Sequence, residues 1–395
     1  MKNEFRRLIR YGVIAFLFIC MIGVYGCAAE EPPANADTTV ADETTLPAAN
    51  TDLPDTADTE DTPDTTAAQT QTPEPDTPVY INRLTGEAAD EATYYKRPLA
   101  IMINNIRKAN PQIGISNAMV IYECEVEGGI TRLMMLTTDY ESLPVTGSIR
   151  SAREYFIDYA MGHDAIFMHA GGSDQAYREL KSRGVDNIDG TNGRNPYDTF
   201  YRDQNRLATM GAVHSLVSTG DRIVKAIQYH DYRTVIEEDT QTSFRFVAPG
   251  TSYTLDGGVA ATHVYMSYTA SYHPEFVYDA QTNTYLRYQF DHLAQTDSAT
   301  GEQLAFTNVL LLSCTRTYLN DDKGHVDIVT AGEGDGYYIY GGKAISIRWK
   351  KANDDAPLLL YTADGAELLL NTGKTFVNVL SDSQFAKAEL NRGVN

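Results

Sequence analysis

Apolar and polar positions alternate in two different ways along this chain, and the change falls near residue 240. In the first half, short continuous apolar runs are interleaved with helical patterns. Pro98–Asn104 reads as a buried strand, as does Asp164–His169. Ala118–Glu127 and Ile130–Asp139 flank Gly128-Gly129, a two-residue hairpin signal. Ser151–Gly162 has helical spacing, with Ala152, Tyr155, Phe156, Tyr159 and Ala160 on one face, and Ser151 and Glu154 form an S-x-x-E capping pattern. A second helix opens at Gly171-Gly172-Ser173 and stops at Gly184. A third is capped by Ser218 and Asp221 and runs to Tyr229.

Beyond Thr240 no segment keeps helical periodicity. Strand-like runs follow one another at Phe244–Val247, Thr262–Tyr268, Glu275–Asp279, Thr284–Phe290, Val309–Thr315, Tyr337–Tyr340, Ile345–Lys350, Leu358–Thr362, Glu367–Leu370 and Phe376–Val379. Turn signals such as Gly341-Gly342 and Asp364-Gly365 separate many of them. The expected fold is α+β, with a mixed α/β N-terminal domain over 79–235 and a mostly β C-terminal domain over 241–395.

The first 78 residues have a different character. Lys2, Arg6, Arg7 and Arg10 precede Tyr11–Val24, which carries no charge. That run is too short to span a bilayer but suits the apolar core of a signal peptide. It ends at Val24-Tyr25-Gly26-Cys27, similar to the bacterial lipoprotein box, so 1–26 reads as a leader and Cys27 as the lipid-attachment residue. More than one acyl chain there gives stable anchoring to a membrane. Residues 28–78 hold 13 acids and no Lys or Arg, mixed with Thr, Ala and Pro. Such a segment buries too little to offset its ordering entropy and reads as a disordered tether spanning at least about 40 Å.

The chain of 395 residues has a net charge of −21, and the leader contributes +3 and the tether −13, which leaves −11 for the rest. An acidic balance of this kind argues against nucleic acid as a partner. Cys124 and Cys314 lie in apolar strands without a C-x-x-C, and read as buried free thiols more readily than as a bridge. Neither H-E-x-x-H nor G-x-S-x-G occurs. Gly373-Lys374-Thr375 lacks the glycine a phosphate loop needs at 368, and Gly332–Gly336 reads as a loop between strands. The eight histidines show no ligand spacing, so neither metal nor cofactor is expected.

Three features remain. Around the hairpin, Glu127 is expected to face Ile130 and Glu125 to face Arg132, which puts Glu123, Glu125 and Glu127 on one strand face. That face reads either as exposed and polar or as a functional acidic strip. In Gly147-Ser148-Ile149-Arg150-Ser151-Ala152-Arg153, two arginines stand where a helix N-terminus disfavours cations by about 0.3–1 kcal/mol each. They call for an offsetting anion, either a ligand or the glutamate strip. His169 ends a buried strand before Gly171-Gly172-Ser173, where open α/β sheets place ligands. Tyr201-Arg202 reads either as a further cation or as a surface pair.

These residues resemble the YerB-like lipoproteins, a family with N- and C-terminal domains of unknown function. The resemblance lies in Arg97-Pro98, Asn104-Asn105, Pro111–Ile115, Glu127-Gly128-Gly129-Ile130-Thr131-Arg132, Gly147–Arg153, His169–Ser173 and Tyr201-Arg202. It continues at Gly341-Gly342-Lys343, Arg348-Trp349-Lys350 and Asn371–Val377, with departures at Thr372 and Phe376. It implies an α+β N-terminal part, a β-rich C-terminal part and anchoring on the outer face of the cytoplasmic membrane of a Gram-positive cell. It implies no reaction.

The reading that follows is an extracytoplasmic accessory protein that binds an anionic cell-wall fragment or an envelope protein. Arg150, Arg153 and Arg132 would hold the anion, with Ser151, Glu123, Glu127, His169 and Arg202 around it. Two alternatives stand beside it. One is a cell-wall hydrolase using Glu123 or Glu127 with His169, since carboxylates two residues apart on a strand lie ~7 Å apart. The other is a scaffold whose charges only join the two domains.

Overall fold

The computed structural model describes residues 79–237 and 240–393. The leader, Cys27 and the tether lie outside the described residues.

The apolar runs of the first half form β1 (Leu99–Asn104), β2 (Val120–Val126), β3 (Ile130–Thr137), β4 (Ile166–His169) and β5 (Asn187–Asp189). The second half supplies β6 (His263–Tyr265), β7 (Glu275–Asp279), β8 (Thr284–Gln289), β9 (Asn308–Cys314), β10 (Gly332–Tyr340), β11 (Lys343–Lys351), β12 (Leu359–Thr362) and β13 (Thr375–Ser381). The main helices are α1 (Glu154–Met161), α2 (Asp174–Ser182) and α3 (Gly220–Tyr229). This is the mixed α/β first part and mostly β second part that the pattern indicates.

The two parts share one sheet. Its strand order is β12-β11-β10-β9-β13-β2-β3-β1-β4-β5, and Val259–Ala260 adds a short strand beside β11. The join is β2 against β13, parallel, with Val120 opposite Thr375 and Glu123 opposite Asn378. Every residue of β1, β2 and β13 is buried, as expected of strands covered on both faces. On one face lie α1 and α2, with Tyr155, Phe156 and Tyr159 against Tyr122, Cys124 and Leu312. On the other lie α3 and the small β6-β7-β8 sheet, whose Val264, Phe276 and Tyr285 meet Ile121, Leu311 and Phe376.

Several local expectations are corrected. Gly332–Gly336 is not a loop but the first half of β10, paired with β11 so that Gly334 faces Trp349 and Gly336 faces Ile347. A Cβ on Gly334 would sit 2.5 Å from the Trp349 indole nitrogen and one on Gly336 2.8 Å from the Leu311 carbonyl. These glycines make room within a sheet. Phe244–Val247 and Glu367–Leu370 contribute only isolated bridges, Phe246 to Leu370 and Glu367 to Tyr361. Ser218 donates to the Thr199 carbonyl and caps nothing; Thr219 stands at the N-cap of α3. Cys124 and Cys314 are buried free thiols. They sit on β2 and β9 with β13 between them, about 10 Å apart at strand spacing and beyond disulfide reach.

One buried group ties this core to pH. His163, just past α1, is 2% exposed, and its Nε2 shares a 2.8 Å hydrogen bond with the Tyr122 hydroxyl. Burial first, and the nearby Lys351 ammonium second, push the imidazole down to about 3. The unfolded chain gains that proton near pH 6.5, and the folded chain excludes it until about pH 3. Stability is therefore complete above pH 6.5 and falls as the pH drops, by about 2 kcal/mol at pH 5 from this group. The melting temperature of His163→Gln, which keeps an acceptor for Tyr122, should depend less on pH between 6.5 and 5 than that of the wild type. Equal slopes would count against the assignment.

Candidate functional site

The site lies where the sheet opens. β1 and β4 pair in parallel from Leu99–Ile166 to Ile101–Met168, and then the segment 148–152 enters between them. The Asn104 amide donates to Ser148 O at 3.0 Å and the Arg150 amide to Met102 O at 2.9 Å. On its other side, the Ala170 amide donates to Arg150 O at 2.9 Å and the Ala152 amide to Gly171 O at 2.8 Å. This crevice lies outside the carboxyl ends of parallel strands, where α/β sheets place ligands. Because 150–152 are drawn into extended pairing, α1 begins only at Glu154. The expected Ser151–Glu154 capping box is absent, and Arg153 occupies the N-cap without a side-chain cap.

His169 is enclosed behind this segment. It is fully buried; its Nδ1 lies 2.8 Å from the Gly171 carbonyl and its Nε2 3.2 Å from Asn187 Oδ1. Gly171 O is the same atom that receives the Ala152 amide. Asp189 holds the Gly171 amide at 2.9 Å. His169 thus braces the loop that carries the arginines and lines no open surface, contrary to the expectation from its strand-end position.

The acidic strip differs from expectation in register and in burial. The turn takes three residues, Glu127-Gly128-Gly129, with φ of 73° at Gly128 and 68° at Gly129. Val126 therefore faces Ile130, Glu125 faces Thr131 and Arg132 faces Cys124. Glu127 belongs to the turn and reaches the α1 side, whereas Glu123 and Glu125 point into the opposite layer. They form no exposed strip: Glu123 is 0% and Glu125 1% exposed. Glu127 leaves the face that Glu123 and Glu125 share, and the two carboxylates that keep the two-residue spacing are enclosed.

Glu123 and Glu125 are each matched by an arginine from the second half. Glu123 pairs with Arg287, which is itself fully buried between the Phe276 and Phe376 rings, 4.5 and 4.7 Å from their centroids. The same carboxylate accepts from Asn105 at 2.9 Å, Thr131 at 2.6 Å and Tyr272 at 2.8 Å. Glu125 pairs with Arg316 and accepts from Gln384 Nε2 at 2.7 Å. Sequence reading missed both arginines. Arg287 lies in Thr-Tyr-Leu-Arg-Tyr-Gln, where Tyr285, Arg287 and Gln289 alternate inward. Alternation identifies that face but not which face is buried.

Glu127 gathers the other arginines. Arg153 forks onto it, with Nε 3.0 Å from Oε2 and Nη2 2.5 Å from Oε1. Arg132 Nη2 lies 2.7 Å from the same Oε1, and its Nη1 donates to the Ser151 carbonyl at 2.9 Å. Burial raises the Glu127 pKa, but the Arg132 and Arg153 guanidiniums outweigh it and hold the carboxyl below its usual range. Burial and the neighbouring Arg153 push Arg132 down to about 10, still cationic at neutral pH.

Arg150 is different. It makes no ion pair among the described residues. Its Nη1 donates to Val213 O at 3.2 Å and its Nε is buried without a partner. Arg202, exposed, donates to the adjacent Ala212 carbonyl. The loop at 212–213 thus brings Arg150 and Arg202 together. Of the sequence-selected residues, Arg132, Arg150, Ser151, Arg153, Glu127 and Arg202 converge on this edge; Glu123 and His169 do not. Among the described residues no group of three or more His, Cys, Asp or Glu could hold a metal ion, and no helix is long and apolar enough to cross a membrane.

An α/β first part joined through one sheet to a β-rich second part, with arginines at the crevice, defines a class that comparison identifies. Residues 84–233 match the N-terminal domain and 264–377 the C-terminal domain of a protein of unknown function, DUF3048. The chain belongs to that family, the YerB-like proteins. It is 30% identical over 317 residues to "Putative lipoprotein YerB" of Bacillus subtilis (strain 168), covering 79% of this chain and 89% of the relative. The crystal structure of the YerB protein from Bacillus subtilis superposes with a TM-score of 0.68 at 27% identity, covering 79% of this chain and 99% of that one.

Proposed function

We propose that this protein is a lipid-anchored, extracytoplasmic accessory factor that binds an anionic ligand of the cell envelope at the Arg132–Arg150–Arg153 edge. The observation that carries the reading is the charge count at the crevice. Arg132 and Arg153 share the one carboxylate of Glu127, and Arg150 beside them makes no ion pair among the described residues. A half-buried cation held by backbone pairing and left without a counter-charge is unfavourable unless something supplies one. A ligand phosphate or carboxylate does so, and Arg202, whose side chain meets the Ala212 carbonyl next to the Val213 carbonyl that Arg150 holds, can extend the contact. Attachment through Cys27 on the outer face of the cytoplasmic membrane, with residues 28–78 as a tether, agrees with the name of the Bacillus relative. The partners on this reading are the membrane, through the lipid, and a cell-wall fragment or envelope protein.

The test is a thermal-shift comparison of wild type and Arg150→Ala with muropeptides, teichoic-acid phosphates and dicarboxylates. A ligand at 100 times its Kd raises stability by about 2.7 kcal/mol. The wild type should show such a rise with at least one of these anions, and Arg150→Ala should not. A rise of equal size in both would exclude Arg150 from the site. Turnover of a wall fragment would favour an enzyme instead.

A further inference from the structure

A second cleft, of about 340 Å3, lies between the N-terminal ends of α1 and α2 and a finger of the second half. The finger pairs Arg316–Tyr318 with Val326–Ile328, and its tip reaches back over the helices. The volume is at the lower end of the range that holds small ligands. Its walls carry both signs of charge, the acids including Asp174, Asp321 and Asp322, and Arg153 lines both this cleft and the arginine edge. Glu154, on α1, is 93% buried yet lines the cleft, and no cation pairs with it among the described residues. Its one side-chain hydrogen bond is from the Ser173 hydroxyl to Oε2 at 3.3 Å. Arg178 and Lys323, also on the walls, form no ion pair among the described residues.

A carboxylate at the first position of a helix is favoured by the helix dipole, which accounts for the acid at Glu154. It does not account for enclosing that acid beside Asp327 with only the Ser173 hydroxyl and its own backbone amide as donors. Burial first, and the Asp327 charge among the other contributions, push the Glu154 carboxyl above its usual range. An ammonium at Glu154 would relieve that cost, since a buried carboxylate is retained most readily when paired and hydrogen-bonded. Arg178 and Lys323 offer the opposite charge from the other helix and from the finger. We infer that this cleft binds a short free peptide, its ammonium on Glu154 and its carboxylate on Arg178 and Lys323. The inference stands on these residues and not on Arg150.

The test is calorimetric titration of the full-length chain, in detergent, with alanyl-alanine and its N-acetylated and C-amidated forms. The free dipeptide should bind, and either blocking group should weaken it tenfold or more. Glu154→Gln should lose the preference for the free amine, and Arg178→Ala, at an exposed position, the preference for the free carboxylate. Arg178→Ala keeps the test open should Glu154→Gln fold poorly. Arg150→Ala should leave dipeptide binding unchanged, which separates this cleft from the anion edge. The inference is overturned by absence of binding at millimolar dipeptide, by indifference to both blocking groups, or by loss of dipeptide binding in Arg150→Ala.

Discussion

Replacing Arg287 by Ala should lower unfolding stability by about 3–5 kcal/mol, as expected when one partner of a buried ion pair is removed. The physical reason is that Glu123 would remain, fully buried, with Asn105, Thr131 and Tyr272 but no cation. The loss of the guanidinium between the Phe276 and Phe376 rings removes packing as well. Chemical denaturation measures the effect directly. Glu123→Gln combined with Arg287→Met should be markedly less destabilised than Arg287→Ala alone, because no buried charge is stranded. A double variant as unstable as the single one would show that packing, not charge, dominates at this position.

The second large effect concerns the halves themselves. A fragment of residues 79–237 should show no cooperative unfolding transition. Without β13, the fully buried β2 becomes an open edge, and those amides and carbonyls along Val120–Glu123 that face β13 lose their partners. Glu123 and Glu125 would be stranded without Arg287 and Arg316. A fragment with a sharp transition and native-like near-ultraviolet dichroism would refute this. Glu123 and Glu125 each pair with an arginine of the second half, whereas the Glu127 cluster lies within the first.

Much of this was legible in the chain. Glu275–Asp279 is a strand over its expected range, and the Gly341-Gly342 turn joins β10 to β11 with both glycines at positive φ. The helix over 151–162 was legible in its body and wrong at its start, because tertiary pairing of 150–152 outweighed a local capping signal. The acidic strip was misread for a related reason. One residue of turn length decides register, and register decides which face each glutamate takes. Partners such as Arg287 and Arg316 were not legible, since nothing local in Tyr-Leu-Arg-Tyr or Thr-Arg-Thr-Tyr records a contact more than 160 residues away. The Arg150–Arg153 segment drew notice as cations at an expected helix start, but the helix begins at Glu154 and Arg150 lies in extended pairing ahead of it.

On the proposed function, Arg150 is held for a ligand while Glu123 and Glu125 are held for the fold. The most direct test is the unfolding free energy of Arg150→Ala, measured with and without the envelope anion that stabilises the wild type. The account predicts a ligand-free stability within about 1 kcal/mol of wild type, as for a residue with no partner to strand, and no gain when the anion is added. A loss of several kcal/mol without ligand, together with no anion that stabilises the wild type, would contradict it and make the arginine edge part of the scaffold.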